Sequence, residues 1–576
     1  MQKTFKTITL VFIFVCFLLA ACSNPSGGGN TETGTITINL SSSTSRATTG
    51  FPETPMDMND LTYKIKLTPV SSGSPTERVV NGSANALITI SPGSWNITVY
   101  AYRDFLTEPT IYGIGKSQGG PIEVKANQNT SVSIIMERPI SIDLDKNEAI
   151  FSPLERTSKT IVLTVYRFEP TVPAPSVGLD IDKSGLTNAK IDIPIQQQSP
   201  YPDTKIFEIK IESDPPGSTP SGNFVIKGIT GLPSGYANMD EQQVIPVKFH
   251  DGLTENTPIP VNQSNIATFN STFTTDMSYL SKHYFLEEDI ITWSGSWTPI
   301  GDAPSSNAFT GTFDGRNGII TDINFSGSPD YLGMFGAISS TAEIKNLNLY
   351  SVIFDNTSPA YNSATGGLVG HNNGKIENCS VTGTIDGPKN VGGLVGFNNS
   401  KIIKCSADVN VIGNDNVGGL VGNTGTTPSS IENCYATGAV DGSTGDNFGG
   451  LVGLNAAKII NCYASGDVIY TSGNYAGGIA GQNFGGTINS CVSLCANISG
   501  SGPDSGQIVG GPGGLSNNYA ASGTGTDPDD KDGKMITSSE YEEAAWWKNT
   551  VGFSASIWDF ENWYPPSPPM LKKAEP

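Results

Sequence analysis

The sequence predicts an all-β chain in which a parallel β-helix follows two β-sandwich modules. Three observations carry that prediction. First, 66 glycines and 37 prolines in 576 residues, with charged residues at 15%, describe a turn-rich chain rather than a helical one. Second, "SPGSWNITVYAYR" places Trp95, Ile97, Val99 and Ala101 on one face and Asn96, Thr98, Tyr100 and Tyr102 on the other. Period-two alternation after a Pro-Gly turn is a strand signal. Third, one cysteine recurs as Cys379, Cys405, Cys434, Cys462 and Cys491, at spacings of 26, 29, 28 and 29 residues. A period of that size marks stacked units, none of which can bury its apolar face alone.

At the N-terminus, Lys3 and Lys6 precede an apolar run, Ile8 to Leu19, too short to span a bilayer comfortably. Leu19-Ala20-Ala21-Cys22 then brings small residues to a cysteine. This resembles the lipobox of bacterial lipoproteins. The resemblance implies a signal peptide over 1–21, cleavage before Cys22, and fatty acylation (palmitate-type chains) of its thiol and new amino group. Two or more chains on one residue anchor a protein to a membrane without spanning it. Ser23 is not the aspartate that commonly retains lipoproteins on an inner membrane, so the resemblance points to the outer membrane and cell surface.

Cleavage there would remove two lysines and no acids, moving the net charge from −21 to −23. Such a charge argues against nucleic acid and against anionic membrane surfaces as partners. Residues 22–33, rich in Gly, Ser and Asn, read as a flexible tether. Alternating strands such as "TITINL" and "YKIKLTPV" make 34–139 a β-sandwich module, and "SPGSWNITVYAYR" resembles prealbumin-like and carboxypeptidase-regulatory-like modules. "KTIVLTVYRF", "KIFEIKIES" and "NFVIKGI" make 140–265 a second, Ig-like spacer.

The β-helix is expected over 266–514, led in by "YLSKHYFLEEDI" and "FTGTFDGRNGIITDINFSG". Aligned on the cysteines, the coils show an isoleucine column three residues earlier: Ile376, Ile402, Ile431, Ile459 and Ile488. Two residues after the cysteine stand Val381, Ala407, Ala436, Ala464 and Ser493; six after it stand Ile385, Val411, Val440, Val468 and Asn497. That is one strand with a single buried face. Paired glycines before Leu368, Leu394, Leu420, Leu451 and Ile479 suggest sharp corners. About seven coils at ~4.8 Å would give a rod of roughly 35 Å.

"GGLVGHNNGKIENCSVTGTI", "GGLVGNTGTTPSSIENCYATGAV" and "GGLVGLNAAKIINCYASGDV" resemble the GLUG repeat of bacterial surface and secreted proteins, including adhesins and IgA-specific metallopeptidases. Four copies begin at Gly366, Gly392, Gly418 and Gly449, with a weaker fifth, "GGIAG", at Gly477.

The repeated cysteine has three readings. A free thiol packs as a small hydrophobe. A disulfide fits an exported protein, but equivalent Cβ atoms on stacked strands lie about 4.8 Å apart, beyond the roughly 3.5–4.5 Å that a disulfide uses. A metal site would need a tetrahedron rather than a line. Packing is favoured.

No catalytic residue emerges. Glu377 and Glu432 share a repeat position, as do Asp386 and Asp441, each pair two coils or about 9.6 Å apart, near the spacing of inverting glycosidases. Ile403 and Ile412 interrupt them, and no lysine or arginine column accompanies them. The zinc motif of the GLUG-bearing peptidases needs paired histidines four apart, and the three here, His250, His283 and His371, are isolated. "DPDDKDG", Asp527 to Gly533, lacks the glutamate that closes a calcium loop. No cofactor and no metal are expected.

Residues 515–576 hold Trp546, Trp547, Trp558 and Trp563. They read as a cap over the open end of the β-helix, with Ser539 and Glu542 at capping-box spacing before a helix of about ten residues. A rival reading makes Trp546, Trp547 and Trp558 an aromatic platform for sugar rings. The functional expectation is a non-catalytic, lipid-anchored surface protein that meets a host, matrix or glycan ligand. The alternatives are a carbohydrate-active or glycan-binding β-helix and a structural envelope component.

Overall fold

The computed structural model describes residues 33–42 and 61–572, except 72, 82–84, 104–109, 117–119, 137–139, 157, 168–177, 198–203, 215, 231–241, 359–362, 427, 502, 512, 524, 528, 562, 564 and 566. The leader 1–21, Cys22 and residues 23–32 of the tether lie outside the described residues. Two compact units emerge, one over Met1–Phe151 and Glu155–Phe249, the other over Ser152–Leu154 and His250–Pro576.

The first unit holds two β-sandwiches, each with its own core. In the first, Gly34–Ser42 pairs with Asn85–Ile90 and Asn129–Met136, opposite a five-stranded sheet built on Thr62–Pro69 and Gly93–Arg103. The alternation in "SWNITVYAY" sets the buried face, with Trp95, Ile97, Val99 and Ala101 all inside. Trp95 donates its indole N–H to the Ser91 carbonyl at 3.1 Å, satisfying the polar end of a buried ring. In the second sandwich, Ser158–Arg167 pairs with Thr204–Ser213 in one sheet, and Ser221–Thr230 with Gln243–Phe249 in the other. Ile161, Leu163, Ile209, Ile211, Phe224 and Ile226 meet between them.

The second unit is a parallel β-solenoid with three faces. One is a ten-stranded sheet running from Ile259–Val261 to Gly514–Ser516. Its inward column extends the five isoleucines to Ile259, Tyr284, Phe313, Ile344, Ile376, Ile402, Ile431, Ile459, Ile488 and Leu515. The solenoid thus begins ahead of 266, continues past 514 and exceeds seven coils. Nine steps of ~4.8 Å give roughly 43 Å. The extra coils escaped the sequence because aromatics replace isoleucine at one end and the glycine pair is missing.

Corner chemistry differs from the sequence expectation. The glycine pairs are not the left-handed residues. Asn346, Asn378, Lys404, Asn433, Asn461, Ser490 and Asn517 hold φ of 52–56° just before the cysteine position, and asparagine tolerates that region best of the side-chain-bearing residues. Glycine is needed for space instead: a Cβ on Gly393 would lie 2.2 Å from the Gly419 carbonyl of the next coil. One interior assignment also moves. The fifth coil carries an extra residue after Cys491, so Ile498 rather than Asn497 pairs with Val468.

Both ends are covered. The helix Ile266–Thr275, not anticipated from its Thr- and Ser-rich sequence, turns Ile266, Phe269 and Phe273 inward. Phe269 meets Tyr284 at 5.1 Å and Phe313 at 5.8 Å between ring centroids. At the other end Lys534–Met535 adds a parallel strand beyond Tyr519–Ala520, pairing its edge. The tryptophan-rich tail does something else: it lies along the flank, with Trp546, Trp547, Phe553 and Trp558 clustered on Tyr463, Val492 and Tyr519. Its helix is also shorter than expected. Glu540, not Glu542, accepts from the Thr537 backbone N–H at 2.8 Å, and extended Glu543 separates Ser538–Tyr541 from Ala544–Trp546.

Candidate functional site

The solenoid interior is packed, so ligand chemistry falls to its outward columns. The cysteine column is interior: Cys379, Cys405, Cys434, Cys462 and Cys491 are at most 2% exposed and are free thiols. Each thiol donates to the carbonyl two residues earlier, from Cys379 to Glu377 at 3.3 Å through to Cys491 to Asn489 at 3.3 Å. Three of the sulfurs also receive the backbone N–H of the preceding coil's cysteine: Cys405 from Cys379 at 3.5 Å, Cys434 from Cys405 at 3.3 Å and Cys462 from Cys434 at 3.4 Å. Asn518 ends the run by accepting from the Cys491 N–H at 3.1 Å. Burial pushes the thiols of Cys379, Cys434 and Cys491 well above their usual range, and that of Cys495 up to about 12. A thiol held protonated and dry is a poor nucleophile.

The register sets Ile412 between Asp386 and Asp441, and Ile403 between Glu377 and Glu432. Two features were missed in the sequence. Lysines do accompany the glutamates: Lys375 lies 2.6 Å from Glu377 and 2.9 Å from Glu343, with Lys404 at 3.9 Å from Glu377. Strand alternation puts residues 343, 345, 375 and 377 on one outer face, where burial would raise Glu343 but its lysines hold it below the usual carboxylate range. Asp355 also pairs directly beside Asp386. Burial, and then the charge of Asp355, raise the Asp386 pKa. Asp355 sits in a coil without the repeat signature, so the alignment on cysteines passed over it.

The three tryptophans read as sugar contacts do not offer ring faces. Trp547 and Trp558 are 0% exposed and Trp546 9%. Trp558 lies 5.7 Å from Tyr463 and 4.5 Å from Phe553, and Trp547 donates to the Tyr541 carbonyl at 2.7 Å. Their apolar area goes into fastening the tail.

An open cleft of about 360 Å³ lies on another flank, lined by Tyr331, His371, Lys389, Asn390, Phe397, Asn416, Asn423 and Leu454. Its floor is the outward position of the strands Val369–Asn372, Val395–Asn398, Val421–Thr424 and Val452–Asn455, where His371, Phe397, Asn423 and Leu454 stand in register. His371 stacks on Phe397 at 5.0 Å, and Tyr331 meets His371 edge-on at 5.4 Å. Burial holds the His371 pKa down to about 4, and its Nδ1 is buried without a hydrogen-bond partner. The rim is an asparagine ladder: Asn416 donates to Asn390 at 2.8 Å, and Asn423 donates to the same oxygen at 3.0 Å. Lys389 is paired with Asp415 at 2.9 Å. Sequence reading set His371 aside because it does not recur. The missed signal was the outward column itself, in which ring, ring, amide and leucine follow one another.

Among the described residues no group of histidine, cysteine, aspartate or glutamate is arranged to hold a metal ion, and no helix is long and apolar enough to cross a membrane.

Comparison with known proteins bears on the repeat. The GLUG motif matches residues 361–386, 387–412, 413–441 and 444–469, one per coil. Halomucin of Haloquadratum walsbyi is 31% identical over 133 residues, which is 20% of this chain and 1% of halomucin. Among solved structures, a leucine-rich repeat protein of Bacteroides thetaiotaomicron aligns at 10% identity and a TM-score of 0.15, covering 38% of this chain and 26% of that one. BcpA, the major pilin subunit of Bacillus cereus, aligns at 11% identity and a TM-score of 0.17, covering 38% and 69%.

Proposed function

We propose that this chain is a lipid-anchored cell-surface protein whose GLUG solenoid is a non-catalytic scaffold for adhesion or ligand binding. The observation that carries the reading is the division of labour within each coil. Inward positions repeat as isoleucine, cysteine and alanine, while outward positions vary from coil to coil: His371, Phe397, Asn423, Leu454 and Gln482 in one column. A constant core under a variable surface is how solenoids present extended binding faces. The GLUG repeats and the halomucin-like segment suggest a surface protein, and the lipobox-like run ending at Cys22 supplies a means of attachment.

The non-catalytic part rests on the outer carboxylates. Glu377 is neutralised by Lys375 at 2.6 Å, and isoleucines separate Glu377 from Glu432 and Asp386 from Asp441, while Asp355 and Asp386 stay adjacent. The test is expression of the full chain and of Cys22→Ser in bacteria with an outer membrane. The parent chain should fractionate with membranes and be shaved from intact cells by added protease, whereas the variant should become soluble. A parent chain that is soluble, or membrane-bound yet protected from protease, contradicts the reading.

A further inference from the structure

We infer that the flank cleft between Phe397 and Leu454 is a binding site for a neutral oligosaccharide, one pyranose ring seated on Phe397. The inference rests on the ligand-binding reading above and names the ligand class and the place.

The outward column changes height along the solenoid. His371 and Phe397 form a two-ring stack. At the next coil Asn423 is drawn sideways by its hydrogen bond to Asn390 at 3.0 Å, and Leu454 follows one coil later. The short, tethered amide leaves a notch with an aromatic wall and an aliphatic one, two coils or about 9.6 Å apart. At about 360 Å³ the cleft falls within the roughly 300–1,000 Å³ of small-molecule sites.

Its chemistry is apolar on the walls and amide-rich on the rim. A pyranose has the matching layout, with a C–H face for the ring of Phe397 and hydroxyls for Asn423 and Lys389. Amides suit hydroxyls because each offers both a donor and an acceptor. An anionic sugar is disfavoured, since Asp415 already neutralises Lys389 and His371 is uncharged above about pH 4. A peptide added as a strand is disfavoured too, because the strands flooring the cleft are paired on both sides.

The test uses the full chain in a zwitterionic, sugar-free detergent, titrated with maltohexaose, cellohexaose, mannohexaose and chitohexaose, and with a hyaluronan hexasaccharide as the acidic contrast. Binding is read by saturation-transfer NMR, and chain shortening by mass spectrometry. At least one neutral hexasaccharide should bind saturably. Phe397→Ala should weaken it at least tenfold, about 1.4 kcal/mol. Asn423→Phe should do the same by filling the notch with a residue the preceding coil already carries. Ile469→Asn, on another face, should leave binding unchanged, and all three variants should keep the parent's melting temperature. The inference is overturned if no neutral hexasaccharide binds, if only the acidic one binds, or if both cleft variants bind as the parent does. Shortened products would instead contradict the non-catalytic reading, while the two cleft variants would still decide where the sugar sits.

Discussion

The side-chain amide of Asn372 donates to the amide oxygen of Asn398, one coil on, at 2.6 Å, and both residues are fully buried. The chain of bonds continues from Asn398 to Ser429 at 2.9 Å and from Asn455 to Asn483 at 2.8 Å. Asn398 also donates to the Ser400 carbonyl at 2.8 Å, so this interior corner carries two polar runs, Asn372–Asn398–Ser429 and Thr424–Asn455–Asn483, inside an apolar core. Buried polar groups are tolerable only when satisfied, and removing one member strands its neighbours. Asn398→Leu should therefore destabilise the solenoid by about 2–4 kcal/mol, read as a lower urea midpoint. Asn398→Thr should cost less, because Thr424 already occupies the equivalent place and donates to Asn455 at 3.2 Å.

The cysteine column should respond to volume and polarity, not to loss of reactivity. Cys434→Ala leaves a small cavity and should cost about 1 kcal/mol, whereas Cys434→Ser buries a more demanding hydroxyl and should cost about 1–3 kcal/mol. Urea unfolding of the two variants checks the order. Neither should change ligand binding at the flank.

His371 makes stability depend on pH. Its folded pKa of about 4 lies below the 6.5 of an unperturbed histidine because burial disfavours the charged ring. The unfolded chain then binds more protons between these values, so this contribution to stability is full above 6.5 and is lost as pH falls toward 4. Between pH 7 and pH 5 the parent should lose about 1–2 kcal/mol more than His371→Phe does. Parallel urea titrations at the two pH values measure the difference.

The tail should act as a fastened strap. Trp558 is fully buried against Tyr463 and Phe553, so Trp558→Ala should cost about 3–5 kcal/mol locally. Limited proteolysis should then cut within the C-terminal segment while the repeats stay intact, since coils far from the cut keep their own neighbours.

What the sequence made legible was whatever recurs. Ile376 and Cys379 declared a buried face because four later coils repeat them, with a small residue at the place of Val381, and the isoleucine register followed directly. Residues that act once were not legible. Phe397 and Asn423 make a notch only because they neighbour each other across coils, and Tyr331 and Lys389 join them from other turns. The rival reading of Trp546, Trp547 and Trp558 as a display of aromatic faces missed their partners, Tyr435 and Tyr463, which stack one coil apart at 4.9 Å under the tail. The glycine pairs suggested sharp corners, whereas the contacts at Gly393 show a demand for space.

The most direct test of the central claim, that the repeated cysteine is interior filler in a stacked solenoid, is site-resolved alkylation of the full chain under non-reducing conditions. In the folded chain, Cys379, Cys405, Cys434, Cys462, Cys491 and Cys495 should all resist an iodoacetamide pulse, and in denaturant all six should be labelled. Rapid labelling of any column cysteine in the folded chain, or a column cysteine that stays unlabelled in denaturant because it is held in a disulfide, would contradict the account.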